Sequence, residues 1–169
     1  MAAILSSLRN TVIAGIVITI VVIAIMAGIS GGLSVDHGWV AFLFRWLHVL
    51  SGVMWIGLLW YFNFVQIPNM PNIPDDQKPA VSKVIAPAAL FWFRWGAMAT
   101  IVTGLILAWM NGYLIQAIGL GFDGVPKHTA IGIGMWLGTI MWFNVWFVIW
   151  PNQKKALGIV EVDADTKAA

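Results

Sequence analysis

The chain has no cysteine among its 169 residues. That absence excludes disulfides, iron–sulfur clusters, thiolate zinc sites and the C-x-x-C-H attachment of a c-type haem. Charged residues are scarce too, at 9% of the chain against about 25% in an average soluble domain. This small number of charged residues cannot cover a surface that faces water. The sequence therefore predicts an integral membrane protein with the lipid bilayer as its first partner. The net charge of +2 and the scattered basic residues predict no binding to nucleic acid.

Acidic residues are missing from every long apolar run of the sequence. Proton relays and paired-carboxylate catalysis place acidic groups inside the membrane, so neither is expected here. Each run reaches the roughly 20 residues that a helix needs to cross a bilayer. The predicted fold is therefore an all-α bundle of four transmembrane helices in a single membrane domain, 1–169. The predicted helices cover about 11–29, 39–66, 88–111 and 126–150, and a short polar tail covers 151–169.

Glycine and proline mark the expected ends of these helices. Gly31 and Gly32 close the first, and Pro68 and Pro151 are expected to end the second and the fourth. Pro126 suits the first turn of the fourth helix. The first run is longer than the roughly 7–15 apolar residues of a signal peptide, so we interpret it as a retained helix.

Lysine and arginine are unequally divided between the two sides of the predicted bundle. One side carries only Lys127, with Arg45 inside the membrane nearby. Basic residues favour the cytoplasmic side, so both termini are predicted to be cytoplasmic. The basic residues of that side are Arg9, Lys78, Lys83, Arg94, Lys154, Lys155 and Lys167.

The stretch 44–57, FRWLHVLSGVMWIG, places Arg45 and His48 three residues apart inside the second apolar run. Residues at this spacing are neighbours on one face of a helix. These residues and Gly52 suit a haem b. His48 would be the iron ligand, Gly52 would leave space for the porphyrin edge and Arg45 would pair with a propionate. In the alternative interpretation, Arg45 extends to the outer headgroups or to Asp36, and His48 makes a hydrogen bond between helices.

A second metal ligand is less well defined in the sequence. His128 opens the fourth run, and its depth differs from that of His48 by about 6 Å before helix tilt, which leaves bis-histidine ligation open. Met135 is a further candidate, and the alternative for His128 is an interfacial position beside Lys127. Bacteriochlorophyll, or no cofactor, remains the alternative to haem b. The predicted cofactor-binding residues are His48, Arg45, Gly52, His128 and Met135, with His48 and His128 as metal ligands.

Two long stretches resemble a known family. RWLHVLSGVMWIGLLWYFNFVQIP at 45–68 and HTAIGIGMWLGTIMWFNVWFVIWPNQKKALG at 128–158 are similar to the membrane part of the bacterial integral-membrane urate oxidases, or urate hydroxylases. Family members are longer and carry a C-terminal cytochrome c domain, so the resemblance implies a short form without that domain. The positions that match the family pattern are Arg45, His48, Trp55, Gly57, His128, Asn144, Trp146, Pro151 and Asn152.

From the residues and this resemblance together we expect a haem-b-binding electron-transfer protein. It would cross a bacterial cytoplasmic (inner) membrane several times and pass electrons to or from a partner. One alternative is a non-catalytic, pigment- or cofactor-binding subunit of a larger respiratory or photosynthetic complex, with other subunits or further copies of the chain as partners. Another is an oxidoreductase, a purine (urate) oxidase acting with a separate cytochrome c. The residues do not decide whether the chain is an enzyme.

Overall fold

The structure is a computed structural model that describes residues 2–156 and residue 160. Within this part of the chain every regular element is helical and no strand occurs. Four of its helices are long and apolar enough to cross a membrane, which confirms the all-helical, four-span part of the prediction. Of the predicted tail, residues 157–159 and 161–169 lie outside the described residues. The four are span 1 (Leu8–Ile29), span 2 (His37–Asn72), span 3 (Lys78–Met110) and span 4 (Pro126–Lys155).

The chain divides into two compact units, and the first of them is Met1–Val40. It contains the short helix Ala2–Leu5 and span 1. The carboxylate of Asp36 accepts a hydrogen bond from the Trp39 amide at 2.8 Å, which caps the start of span 2 at His37. No residue of span 1 is buried, although the helix is apolar on all sides. Such a helix needs lipid or another protein around it.

The second unit, Ala41–Ala169, contains the packed core. Phe62 and Phe93 meet edge to face in this core, with ring centroids 5.9 Å apart. Span 3 approaches span 2 closely at Gly96, where an added Cβ would lie 3.4 Å from the amide nitrogen of Trp55. Many large apolar side chains outside the core face outwards, as expected where lipid is the solvent. The core residues are Trp55, Phe62, Leu90, Phe93, Ala97 and Val145.

Pro68 and Pro151 do not end their helices as expected. The helical backbone continues through Pro68 to Asn72 and through Pro151 to Ala156. The connection at 67–87 that the predicted helices leave is therefore reduced to about 73–77. Span 2 consists of His37–Trp60, a π-helical segment Tyr61–Gln66, Ile67–Asn69 and a 3₁₀ turn Met70–Asn72. Span 3 consists of Lys78–Ala80, a π-helical segment Val81–Ile85 and Ala86–Met110. Span 4 consists of Pro126–Phe143, a π-helical segment Asn144–Ile149 and Trp150–Ala156.

The π-helical segments explain how these prolines fit. Each segment ends two residues before a proline, namely Pro68, Pro87 or Pro151. The residue just before the proline donates its amide to the carbonyl five residues back: Ile67 to Phe62, Ala86 to Val81 and Trp150 to Val145. In an ordinary α-helix a proline ring collides with the carbonyl four residues back. The wider π turn moves that carbonyl aside, so the helix continues.

A short connecting helix, Leu114–Ile118, lies between spans 3 and 4, where we expected a loop. It packs against span 4 at Gly132, where an added Cβ would collide with the carbonyl oxygen of Ala117. The indole Nε1 of Trp136 also donates a hydrogen bond to the carbonyl oxygen of Ile118 at 2.9 Å. These contacts hold the connecting helix, and Tyr113 just before it, against span 4.

Candidate functional site

A cavity of about 390 Å³ lies between spans 2, 3 and 4. This volume is in the range of roughly 300–1,000 Å³ that is typical of small-molecule sites. Most of the wall is apolar, and polar atoms are contributed by His48, Thr100, Tyr113 and Thr139. Met135 also lines the cavity. Two of the sequence-predicted site residues, His48 and Met135, are therefore brought to one space.

The imidazole of His48 is held by span 3. Its Nδ1 lies 3.0 Å from the carbonyl oxygen of Thr100 and 3.2 Å from Oγ1 of Thr103. The hydroxyl of Thr103 donates its own proton to the carbonyl oxygen of Ala99 at 2.6 Å. Both oxygens beside Nδ1 therefore act as acceptors, so Nδ1 must carry the proton.

This assignment of the proton decides what the other ring nitrogen does. In a neutral imidazole only one nitrogen carries hydrogen, so Nε2 of His48 retains its lone pair. Histidines that bind metals almost always donate the second ring N–H to a carbonyl or a carboxylate, which orients the ring and makes the ligand more basic. His48 has this arrangement, and it lines a cavity large enough for a ligand.

Gly104 on span 3 makes room for the ring of His48. A Cβ added at residue 104 would lie 2.9 Å from Cε1 and 3.2 Å from Nδ1 of His48, closer than a side-chain carbon is normally found. The absence of a side chain at Gly104 thus allows span 3 to hold the imidazole edge-on.

Trp55 forms the part of the cavity wall that adjoins the core. Its side chain is 3% exposed, and its Nε1–H has no hydrogen-bond partner among the described residues. A buried donor left without an acceptor costs about 1–3 kcal/mol. A ligand that brought an acceptor atom to this wall would remove that cost.

Arg45 and Gly52 do not line the cavity. Arg45 is exposed, and within the described residues its guanidinium has no ion pair. A Cβ added to Gly52 would meet no atom within 4 Å, so this glycine faces open space. Span 3 approaches the ring of His48 closely at Gly104, and not at Gly52.

His128 lies outside the cavity wall, in a separate polar cluster at the start of span 4. Its Nδ1 donates to the carboxylate of Asp123 at 2.7 Å. Its ring stacks on Tyr113 with centroids 5.8 Å apart, and Nζ of Lys127 lies 5.0 Å from the centroid of the same tyrosine. Since Tyr113 also lines the cavity, the cluster adjoins the cavity without placing His128 in it.

Asp123 belongs to this cluster but lies outside the spans, in the connection between spans 3 and 4. Partial desolvation acts to raise the pKa of the Asp123 carboxyl. The hydrogen bond and charge of His128 and the amide of Val125, 3.4 Å away, outweigh desolvation, so the pKa is lower than that of an ordinary aspartate.

Sequence reasoning did not identify the residues of span 3 that build the site. Gly96, Thr100 and Gly104 recur at every fourth position, which is the small-residue spacing that lets membrane helices approach closely. That signal was available in the sequence. The partner of each span-3 residue on span 2 depends on how the helices cross, which a single helix pattern does not show.

Comparison of the chain with known proteins gives no relative: no family model, curated protein or solved structure matches it. The resemblance to the urate oxidases therefore stays a prediction. The fold and the site define a class of protein: an all-helical protein with four candidate membrane spans and a histidine-lined cavity between three of them.

Proposed function

We propose that the chain is a small haem-b-binding membrane protein that transfers electrons, with His48 as the iron ligand. The observation that carries this proposal is the contact of 3.0 Å between Nδ1 of His48 and the carbonyl oxygen of Thr100. It leaves the Nε2 lone pair available at a cavity of about 390 Å³.

The set of donor atoms favours a porphyrin over a bare metal ion. A bare structural or catalytic zinc ion takes three or four protein ligands. Among the described residues no group of three or more histidine, cysteine, aspartate or glutamate side chains could hold such an ion. Haem iron needs only one or two protein ligands, and histidine with methionine is one of the pairs found in cytochromes. His48 and Met135 line the same cavity and provide that pair.

The remaining wall residues suit a redox site in a membrane. Haem, when bound, supplies reversible one-electron chemistry. The protein would orient the His48 ring through Thr100, exclude water with apolar side chains such as Ile101 and Leu105, and offer the hydroxyl group of Tyr113 to a polar substituent. The indole Nε1–H of Trp55 is a further donor that lacks an acceptor.

The charge distribution supports the proposed orientation, and the resemblance supports the proposed location. Lys78, Lys83 and Lys154 lie toward the ends of the spans opposite Lys127. The positive-inside rule therefore favours a cytoplasmic position for both termini. The urate oxidase resemblance favours a bacterial cytoplasmic membrane, where a membrane subunit or a cytochrome c would exchange electrons with the chain.

The direct test is the cofactor content of protein purified from cells supplied with haem. We expect a Soret band and a reduced-minus-oxidised spectrum of b type in the wild type, and none in His48→Ala. His128→Ala is the matched control, because this histidine lies outside the cavity and should leave the bound pigment in place. Well-folded wild-type protein with no pigment after haem feeding would contradict the proposal.

The two other functions expected from the sequence make different predictions. A purine oxidase should reduce an added cytochrome c when urate is supplied, which simple electron transfer does not require. A subunit of a respiratory or photosynthetic complex should co-purify with its partners in mild detergent. A magnesium-containing pigment in place of iron would favour the photosynthetic alternative.

A further inference from the structure

A charged group, Arg94, is buried in the packed unit outside the cavity wall. Arg94 on span 3 is 8% exposed and does not line the cavity. It lies six residues before Thr100, which is about 9 Å along the helix axis at 1.5 Å per residue. A guanidinium remains charged under all ordinary conditions, so its burial requires compensation by an anion or by several acceptors.

The surroundings of Arg94 contain cations and aromatic rings. The guanidinium carbon lies 3.4 Å from the ring centroid of Trp150, and Nζ of Lys154 lies 5.8 Å from the same centroid. Cation–π contact with the indole lowers the cost of placing the charge there. A ring face carries no net charge, so the indole is not a counter-ion for the two positive groups beside it.

No carboxylate within residues 2–156 neutralises these two cations. The ion pairs in that part of the chain join Asp75 with Lys78 and Asp123 with His128. The buried Nε1–H of Trp146 has no hydrogen-bond partner among the described residues, and the buried Oε1 of Gln153, next to Lys154, is a neutral acceptor without one. Trp146 packs against Trp95, the residue next to Arg94, with ring centroids 5.5 Å apart. Among the described residues this region therefore has no acceptor that carries a negative charge.

We propose that Arg94, Lys154 and the ring of Trp150 form a binding site for a phosphate group. The planar guanidinium presents two parallel N–H donors to a phosphate, and the lysine adds a point charge. The indole covers one face of the guanidinium and holds it in place. Trp150 and Lys154 lie near the end of span 4, whereas Arg94 lies midway along span 3 (Lys78–Met110). The phosphodiester of an acidic lipid or free inorganic phosphate would therefore approach the buried guanidinium from the side of Lys154.

The test measures binding by delipidated protein in neutral detergent, using native mass spectrometry for lipid and a thermal shift for phosphate. The probes are phosphatidylglycerol, phosphatidylcholine as the lipid without net charge, and inorganic phosphate alone. We expect wild-type protein to prefer phosphatidylglycerol over phosphatidylcholine. Arg94→Gln should weaken phosphatidylglycerol binding by roughly 10- to 100-fold, the factor that corresponds to charge-assisted hydrogen bonds.

Two further variants control for charge and for folding. Arg45→Gln removes an exposed arginine from span 2 and should leave binding unchanged. Lys154→Gln changes a partly exposed side chain and should weaken binding about two- to fivefold, as for a partly solvated ion pair. If Arg94→Gln does not fold, Lys154→Gln decides the question.

Each outcome has a defined meaning. Binding of inorganic phosphate without preference for phosphatidylglycerol retains the site and assigns it to the free ion. The proposal is overturned if neither probe binds, if Arg94→Gln binds like the wild type, if Arg45→Gln is weakened as much as Arg94→Gln, or if Lys154→Gln is unchanged. Since the site shares no residue with the cavity, the result does not depend on whether haem binds to His48.

Discussion

His48 and His128 make the same kind of contact with different partners. Nδ1 of His48 lies 3.0 Å from the neutral carbonyl oxygen of Thr100, whereas Nδ1 of His128 lies 2.7 Å from the carboxylate of Asp123. The first contact orients the ring through Nδ1 and, in a neutral imidazole, leaves the Nε2 lone pair for a ligand. The second forms an ion pair whenever the ring is protonated.

The space around the two rings differs as much as their partners. His48 lies against Gly104 and lines a cavity, while His128 stacks on Tyr113 outside the cavity wall. The sequence placed both histidines among the candidate metal ligands because each lies in an apolar run. The structure indicates that the partner of Nδ1 and the space beside Nε2 distinguish a candidate ligand from a polar contact at a helix end.

The largest effect is expected when the ligand itself is removed. His48→Ala should lower haem affinity by more than the roughly 10- to 100-fold that loss of a second-shell partner causes. His128→Ala should retain the pigment. Imidazole added to His48→Ala should restore part of the Soret band, because the small ligand can occupy the vacated space. Equal pigment loss from both variants would remove the distinction between the two histidines.

A smaller effect is expected from Gly104→Ala, which leaves both histidines in place. The new Cβ would lie 2.9 Å from Cε1 of His48, so the ring must move away from Thr100. We expect haem affinity to fall by about tenfold, the lower end of the range for a lost second-shell contact. Gly57→Ala is the matched control, because its Cβ would meet no atom within 4 Å. Haem binding unaffected by Gly104→Ala would show that the ring position is not constrained.

Thr103→Val should have a still smaller effect, because the carbonyl oxygen of Thr100 remains as an acceptor. Loss of the acceptor 3.2 Å from Nδ1 makes the imidazole less basic and stabilises ferric iron less. The midpoint potential should therefore rise, by at most about 65 mV if the contact is worth up to 1.5 kcal/mol. Thr139→Val is the control: Thr139 lines the cavity, but its hydroxyl donates within its own helix to Met135. A redox titration in which both variants shift equally would assign the change to cavity polarity.

The four spans could be predicted from the sequence because hydrophobic length alone identifies them. Their ends were less predictable, since Pro68 and Pro151 end a helix only when no π turn precedes them. His48 was identifiable as a polar residue in an apolar run. The roles of Thr100 and Gly104 were not, because they depend on the crossing of spans 2 and 3, where close approach at Gly96 sets the contacts.

The smallest effect is expected on the stability of the fold, when the Asp123 carboxylate that faces His128 is removed. The pKa of Asp123 is lowered in the folded protein, so the carboxylate stabilises the fold at pH values above the ordinary aspartate pKa of about 3.9. That contribution is lost as the pH falls through the lowered pKa of the folded state, because protonation then removes the charge that faces His128. Asp123→Asn should therefore melt slightly below the wild type at neutral pH, and the two melting curves should converge on acidification. The absorbance of bound haem should be the same in both proteins, since the cluster lies outside the cavity wall. A difference in melting temperature that persists unchanged into strong acid would show that the Asp123–His128 pair does not stabilise the fold through its charge.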